Sequence, residues 1–187
     1  ELMKNSVNRA SKILNDTLDY TKFETNENAL IVETYNIGKI VRESVELRRI
    51  SADKYNIEIF TNIDLNIEIN IDKDRIFQVV NNLLGNSLKF TPAGGTIFVK
   101  LVDKDEQVYF SIKDTGCGIS PENFKEIFEP YNSIHSDFNN VKKKGMGIGL
   151  SIARKILKLH NSVMNIESEL GKGSEFSFCL PKTDRKS

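Results

Sequence analysis

Asn82, Asn86 and Lys89 follow one another at steps of four and three within residues 76–92, IFQVVNNLLGNSLKFTP, so on a helix they line one face. Asparagine is a weak helix former that prefers caps and turns. Two of them on one stripe ending in a lysine are either a solvated face or the placed polar groups of a site. The chemistry open to them is specific: a carboxamide oxygen ligates a small hard cation such as magnesium without adding negative charge beside a polyphosphate. A lysine one turn on sets a point charge against a terminal phosphate. Two further clusters lie downstream. Asp114-Thr115-Gly116-Cys117-Gly118 ends an alternating apolar run, where a fixed carboxylate can accept a hydrogen bond from an exocyclic amine and glycines let a backbone come close to a ligand. Gly145-Met146-Gly147-Ile148-Gly149-Leu150 runs into a helical pattern whose first free amides suit a phosphate.

These groups need elements to hold them. Ile76, Val79, Val80, Leu83, Leu84 and Leu88 form an apolar face opposite the polar stripe, which predicts a helix from near Asp72 or Asp74 to just before Pro92. Residues 1–24 carry Leu2, Val7, Ala10, Ile13, Leu14, Leu18 and Phe23 at helix spacing, a long N-terminal helix that needs a partner surface. Strands are expected over residues 29–35, 57–61 and 67–71, with a helix between the first two over about 37–54, its inner face Ile40, Val41, Val45 and Leu47. Residues 96–102 and 107–113 predict an antiparallel hairpin turned at 103–106. A short helix near 123–128, with Phe124 and Phe128 in the core, precedes a long polar loop closed by Lys142-Lys143-Lys144. Those lysines are either a solvated charge run or phosphate contacts. A helix over 149–159 and two strands near 163–168 and 175–180 complete the chain, predicting a two-layer α/β sandwich of three helices on a mixed, mainly antiparallel sheet.

An asparagine helix, an Asp-Thr-Gly turn and a glycine-rich helix start, in that order, resemble the catalytic and ATP-binding domain of sensor histidine kinases. The resemblance covers about residues 1–181 and includes the family's asparagine, glycine and phenylalanine boxes in sequence order. It implies a Bergerat-type ATP-binding fold over residues 29–181, a partial dimerisation and phosphotransfer helix over 1–25, and a tail or linker over 182–187. It also implies an ATP site built from Asn82, Asn86, Lys89, Phe90, Asp114, Gly116, Gly118, Ile119, Tyr131, Lys144, Gly145, Gly147, Ile148, Gly149, Leu150 and Ser174. Asn86 would be the Mg2+ ligand, Asp114 would read adenine, and Ser174 would sit near the base. Phe90 would offer its ring to the base, although it serves equally well as core. Many members carry an arginine where this chain has Asn132 and Ser133, which leaves open the cation that steadies the transferring phosphate.

Of the two histidines, His135 lies in the polar loop and His160 ends the last helix, where positive charge is welcome. Neither has the acceptor context of the family, so the receiving imidazole is expected on a helix outside this chain. A sequence opening on Glu1 in mid-helix suggests an excised piece. The resemblance further implies a response-regulator receiver domain as partner and a homodimer formed through residues 1–24.

The 187 residues, 39% hydrophobic and 28% charged, are those of a globular protein, and no apolar run approaches the roughly 20 residues of a membrane span. With 26 basic and 26 acidic residues the formal net charge is zero, which gives no case for nucleic-acid or membrane attraction. Cys117 and Cys179 form no metal-ligand pattern and are expected as reduced thiols in the cytoplasm. The glycine cluster lacks the Gly-Lys-Ser/Thr of a P-loop and the acid of a dinucleotide fold. Three other functions compete with phosphotransfer to histidine. An ATP hydrolase needs a carboxylate one turn before the metal-binding asparagine, where this chain has Asn82. A serine kinase of the anti-sigma type fits poorly with the helix at 1–24, and the remaining alternative is a nucleotide-sensing interaction module.

Overall fold

The computed structural model describes residues 30–130 and 147–182. The expected N-terminal helix, Tyr131, His135, Lys144 and Gly145 lie outside the described residues. In chain order the elements are β1 (Glu33–Asn36), α1 (Ile37–Lys54), β2 (Glu58–Ile63), β3 (Glu68–Ile71), α2 (Lys73–Phe90), β4 (Thr96–Lys104), β5 (Gln107–Asp114), α3 (Gly149–Leu159), β6 (Asn165–Glu169) and β7 (Gly173–Pro181). Two single 3-10 turns, Pro121–Asn123 and Glu126–Phe128, stand where one short helix was expected.

Five strands form the main sheet in the order β2-β4-β5-β7-β6. β2 pairs with β4 in parallel, and the other pairs are antiparallel. A parallel pair requires a crossover connection, and α2 supplies it. β1 and β3 form a separate antiparallel ribbon. Strict alternation in β4 turns Ile97, Val99 and Leu101 inward and leaves Phe98 and Lys100 exposed. The same period in β5 buries Val108, Phe110 and Ile112 and, two residues on, Asp114. Phe110 stacks on Phe178, its partner in the ladder, at 4.8 Å between centroids.

The three α-helices cover this inner face, so the two-layer expectation holds among the described residues. The Asn36 side chain caps α1 by accepting from Lys39 N, and Asp72 caps α2 by accepting from Arg75 N. α2 buries all six of the expected apolar residues. On α1 the inner stripe takes Ile40, Val41 and Val45 as expected, but Leu47 is 58% exposed. Two residues past Val45, Leu47 points some 200° around the helix, and the stripe continues instead through Ala52, which is buried. β2 runs over Glu58–Ile63, close to the expected 57–61, with Ile57 buried just before it. It lies at the sheet edge with only Ile59 and Ile63 partly packed, and its Phe60 stacks on Phe98 across the outer face at 5.2 Å. In the 3-10 region Ile127 is the buried residue, while Phe124 and Phe128 are half-buried. Phe128 lies under the Arg154 guanidinium, 5.1 Å from the ring centre.

Candidate functional site

The polar stripe of α2 faces the beginning of α3. The Asn82 carboxamide nitrogen donates to the Gly149 carbonyl at 3.1 Å, and a Cβ on Gly149 would lie only 3.4 Å from that carboxamide. Asn82 thus fastens the glycine-rich helix start to α2. Asn86, one turn on and half-buried, has no side-chain hydrogen bond among the described residues, so its carboxamide is uncommitted there. The Lys89 ammonium lies over the Phe90 ring at 4.5 Å, and Phe90 is 36% exposed at the end of the helix.

Asp114 ends β5. The two-residue period of β5 carries it to the inner face, where it is 4% exposed. Its Oδ1 accepts from Gly116 N at 2.9 Å and from Ser174 N at 3.3 Å, and its Oδ2 accepts from the Ser87 hydroxyl at 3.2 Å. Burial pushes its carboxyl above the usual range, while the three donors pull it back toward ionisation. Ser174 lies directly opposite in the ladder, with its hydroxyl 2.8 Å from that of Ser168. Ser168 accepts in turn from Ile119 N at 2.8 Å, which fixes the chain as it leaves the glycine turn.

The two glycines of that turn admit the protein's own backbone. A Cβ on Gly116 would fall 2.7 Å from the Phe90 carbonyl oxygen, and Cys117 N donates to that oxygen at 3.3 Å. Gly118, at φ +69°, would place a Cβ 2.0 Å from the Glu169 carbonyl. These contacts clamp the turn between the end of α2 and the end of β6. The same turn supplies the Gly116 N–H that Asp114 accepts.

At the start of α3, Gly147 has φ +69° and Ile148, in the N-cap position, is buried. The Ser151 hydroxyl turns back to the Ile148 carbonyl at 2.7 Å, and among the described residues no side chain caps the first-turn amides. Leu150 packs partly against the core. A helix start whose amides meet no side-chain cap among the described residues can seat an anion. Among the described residues no group of three or more His, Cys, Asp or Glu could cage a metal. A cation here would share its shell between Asn86 and ligand phosphates, the habit of magnesium.

Residues 71–184 match the family described as histidine kinase-, DNA gyrase B-, and HSP90-like ATPase. The chain belongs to this ATPase family. Within it, the chain is 32% identical over 185 residues to hybrid signal transduction histidine kinase B of Dictyostelium discoideum, an alignment covering 96% of this chain and 9% of that protein. It is also 32% identical over 182 residues to histidine protein kinase DivJ of Caulobacter vibrioides, covering 97% of this chain and 30% of that one. The chain therefore spans less than a third of the length of these curated relatives. Among solved structures, full-length ShkA in complex with AMPPNP superposes with a TM-score of 0.81 at 27% identity, covering 98% of this chain and 38% of that one. Histidine kinase ThkA in complex with response regulator protein TrrA gives 0.76 at 28% identity, covering 100% and 51%.

Of the expected site residues, the structure joins Asn82 to Gly149, and Asp114 to Gly116 and Ser174 with Phe90 against Gly116. Ser87 and Ser168 were not expected among them. Ser87 left a signal, since it is a hydroxyl within the apolar face of α2, 2% exposed, and a buried hydroxyl requires a partner. Ser168 left none, because only strand register brings it to Ser174. His160 stands at the end of α3, as expected. It is 7% exposed, and burial holds its imidazole below the usual value, toward the neutral form.

Proposed function

We propose that this chain is the nucleotide-binding catalytic part of a longer sensor histidine kinase: it binds Mg-ATP and presents the γ-phosphate to a histidine on a phosphotransfer helix. The observation that carries this reading is the pairing of a buried, hydrogen-bonded carboxylate, Asp114, with an uncapped helix start bonded to the same helix α2. Asp114 accepts the exocyclic amine of adenine, and Phe90 flanks the ring. The phosphates run toward Gly147, Ile148 and Gly149, with Lys144 and Gly145 adding contacts from the adjoining loop. Lys89 lends positive charge along the way. Asn86 would hold magnesium, which when bound neutralises phosphate charge and orients the triphosphate.

Transfer forms a bond from an imidazole nitrogen to the γ-phosphorus and breaks that phosphorus's bond to the ADP oxygen, so the protein's task is positioning. The presence of AMPPNP in ShkA and of a response regulator beside ThkA supports an ATP ligand and a receiver-domain partner. Hydrolysis is disfavoured because Asn82, a neutral amide already bonded to Gly149, cannot serve as a base toward water. His160 is a poor acceptor because it is buried and both ring nitrogens are engaged. The homodimer and the helix at 1–24 belong to the same proposal.

The test joins this chain in trans with a phosphotransfer hairpin and labelled Mg-ATP. An acid-labile label on the hairpin supports histidine phosphorylation. An acid-stable label would indicate a serine kinase, and tight nucleotide binding without any transfer would indicate a sensing module.

A further inference from the structure

Helix α3 is bonded to α2 at both of its ends. At its start Asn82 donates to the Gly149 carbonyl, and at its finish the Asp72 N–H donates to His160 Nε2 at 3.1 Å. That bond makes Nε2 the acceptor, so the ring hydrogen sits on Nδ1 and is donated to the Ile156 carbonyl at 2.8 Å. The two helices run antiparallel, with Gly149 beside Asn82 and His160 beside Asp72. Asp72 is the N-cap of α2, its carboxylate accepting from Arg75 N at 3.1 Å and from Ile31 N at 3.0 Å. The anchor for His160 is therefore itself held from two sides.

Between its ends α3 meets the core through Ile152, Ala153, Ile156 and Leu157, each 0% exposed. Apolar contact is non-directional: it resists separation of the helix from the core far more than a small slide along the axis. Direction comes from the polar bonds at the two ends. An α-helix of 11 residues is stiff over its length of about 16 Å, so a displacement at one end arrives at the other.

We propose that His160 is a positioning residue for the phosphate seat, setting the axial register of α3 on α2 and thereby the place of the amides that open the helix. The inference rests on the reading that those amides receive the triphosphate. It separates two parts of the site, because the adenine end, built from Asp114, Ser87 and Ser174, is fixed by β5, β7 and the last turns of α2 and has no bond to His160.

The experiment compares dissociation constants of the full chain for a nonhydrolysable ATP analogue with magnesium and for adenosine. His160→Asn keeps a group in the place of Nδ1 but is too short to accept from Asp72, and His160→Leu removes both bonds. His160→Gln extends an amide oxygen to where Nε2 stood. The Asn and Leu variants should each weaken the triphosphate analogue by about tenfold while leaving adenosine within about twofold, and Gln should restore both to within about threefold of the parent chain. Should Leu not fold, the milder Asn and Gln pair carries the comparison. Equal losses for the two ligands, or an unchanged triphosphate affinity in the Asn variant, would overturn the positioning role. Parent protein that binds adenosine but gains nothing from the triphosphate would remove the phosphate seat itself and this role with it. Parent protein that binds neither would take down the nucleotide reading as a whole.

Discussion

The Ser87 hydroxyl donates to the Asp114 carboxylate at 3.2 Å, joining the last turns of α2 to the end of β5 inside the core. Helix α2 and strand β5, proposed to carry the phosphate-side groups and the base-side acid, are thus one hydrogen-bonded unit. Ser87→Ala should therefore cost affinity and stability together: about 1 kcal/mol of unfolding free energy, with a several-fold weaker hold on the ATP analogue. Urea titration and calorimetric binding read the two effects separately.

Asp114→Asn should split them. The amide keeps an oxygen for Gly116 N and Ser174 N and removes a buried charge, so the fold survives while adenine affinity falls by about tenfold or more. Because burial raises the carboxyl above 3.8, the native protein binds a proton there more readily than the unfolded chain does. This contribution favours the fold at low pH and is lost as pH rises through the raised native value. The variant should accordingly gain stability relative to the parent chain as pH increases across that window, and parallel stability curves would contradict the assignment.

Asn86→Ala should abolish the benefit of magnesium to nucleotide binding without touching the fold, since no described residue depends on that carboxamide. In the parent chain the ATP analogue should bind about tenfold more tightly with magnesium than with a chelator, and in the variant the two should coincide.

Gly118→Ala should be severe. Its φ of +69° disfavours an L side chain, and the new Cβ would sit 2.0 Å from the Glu169 carbonyl. A loss of about 2–4 kcal/mol is expected in chemical denaturation, and a loss under 1 kcal/mol would mean that β6 yields easily.

His160 predicts a second pH effect of the opposite sense. Burial lowers its native value below 6.5, so as pH falls below that point the unfolded chain takes up a proton that the folded one refuses. Stability should decline there, flattening only below the lowered native value, and the decline should be shallower in His160→Gln. Denaturation midpoints between pH 5 and 8 measure it.

Much of this arrangement was legible because periodicity carries it. The steps of three and four in α2 and of two in β4 and β5 fix which faces are buried, and Asp114 follows Ile112 onto the inner face by counting alone. Leu47 was misjudged because apolar character says nothing of angle once the stripe passes through a polar residue. The bonds of Ser174 to Asp114 and of His160 to Asp72 span 60 and 88 positions in sequence. No local pattern announces partners that only tertiary register brings together. The glycines were visible as a cluster, but their occupation with protein backbone follows from how β6 passes the turn.

The parallel pairing of β2 with β4 has a consequence for assembly. Strands pointing the same way cannot be joined by a tight turn, so the excursion between Ile63 and Thr96 must leave the sheet and return, and α2 is the greater part of it. Helix α2 is in this sense the hinge pin of the fold's own closure. A molecule that has zipped β2 onto β4 has already carried Asn82, Asn86 and Lys89 past the sheet, so on the proposed reading the nucleotide site is assembled together with the sheet itself.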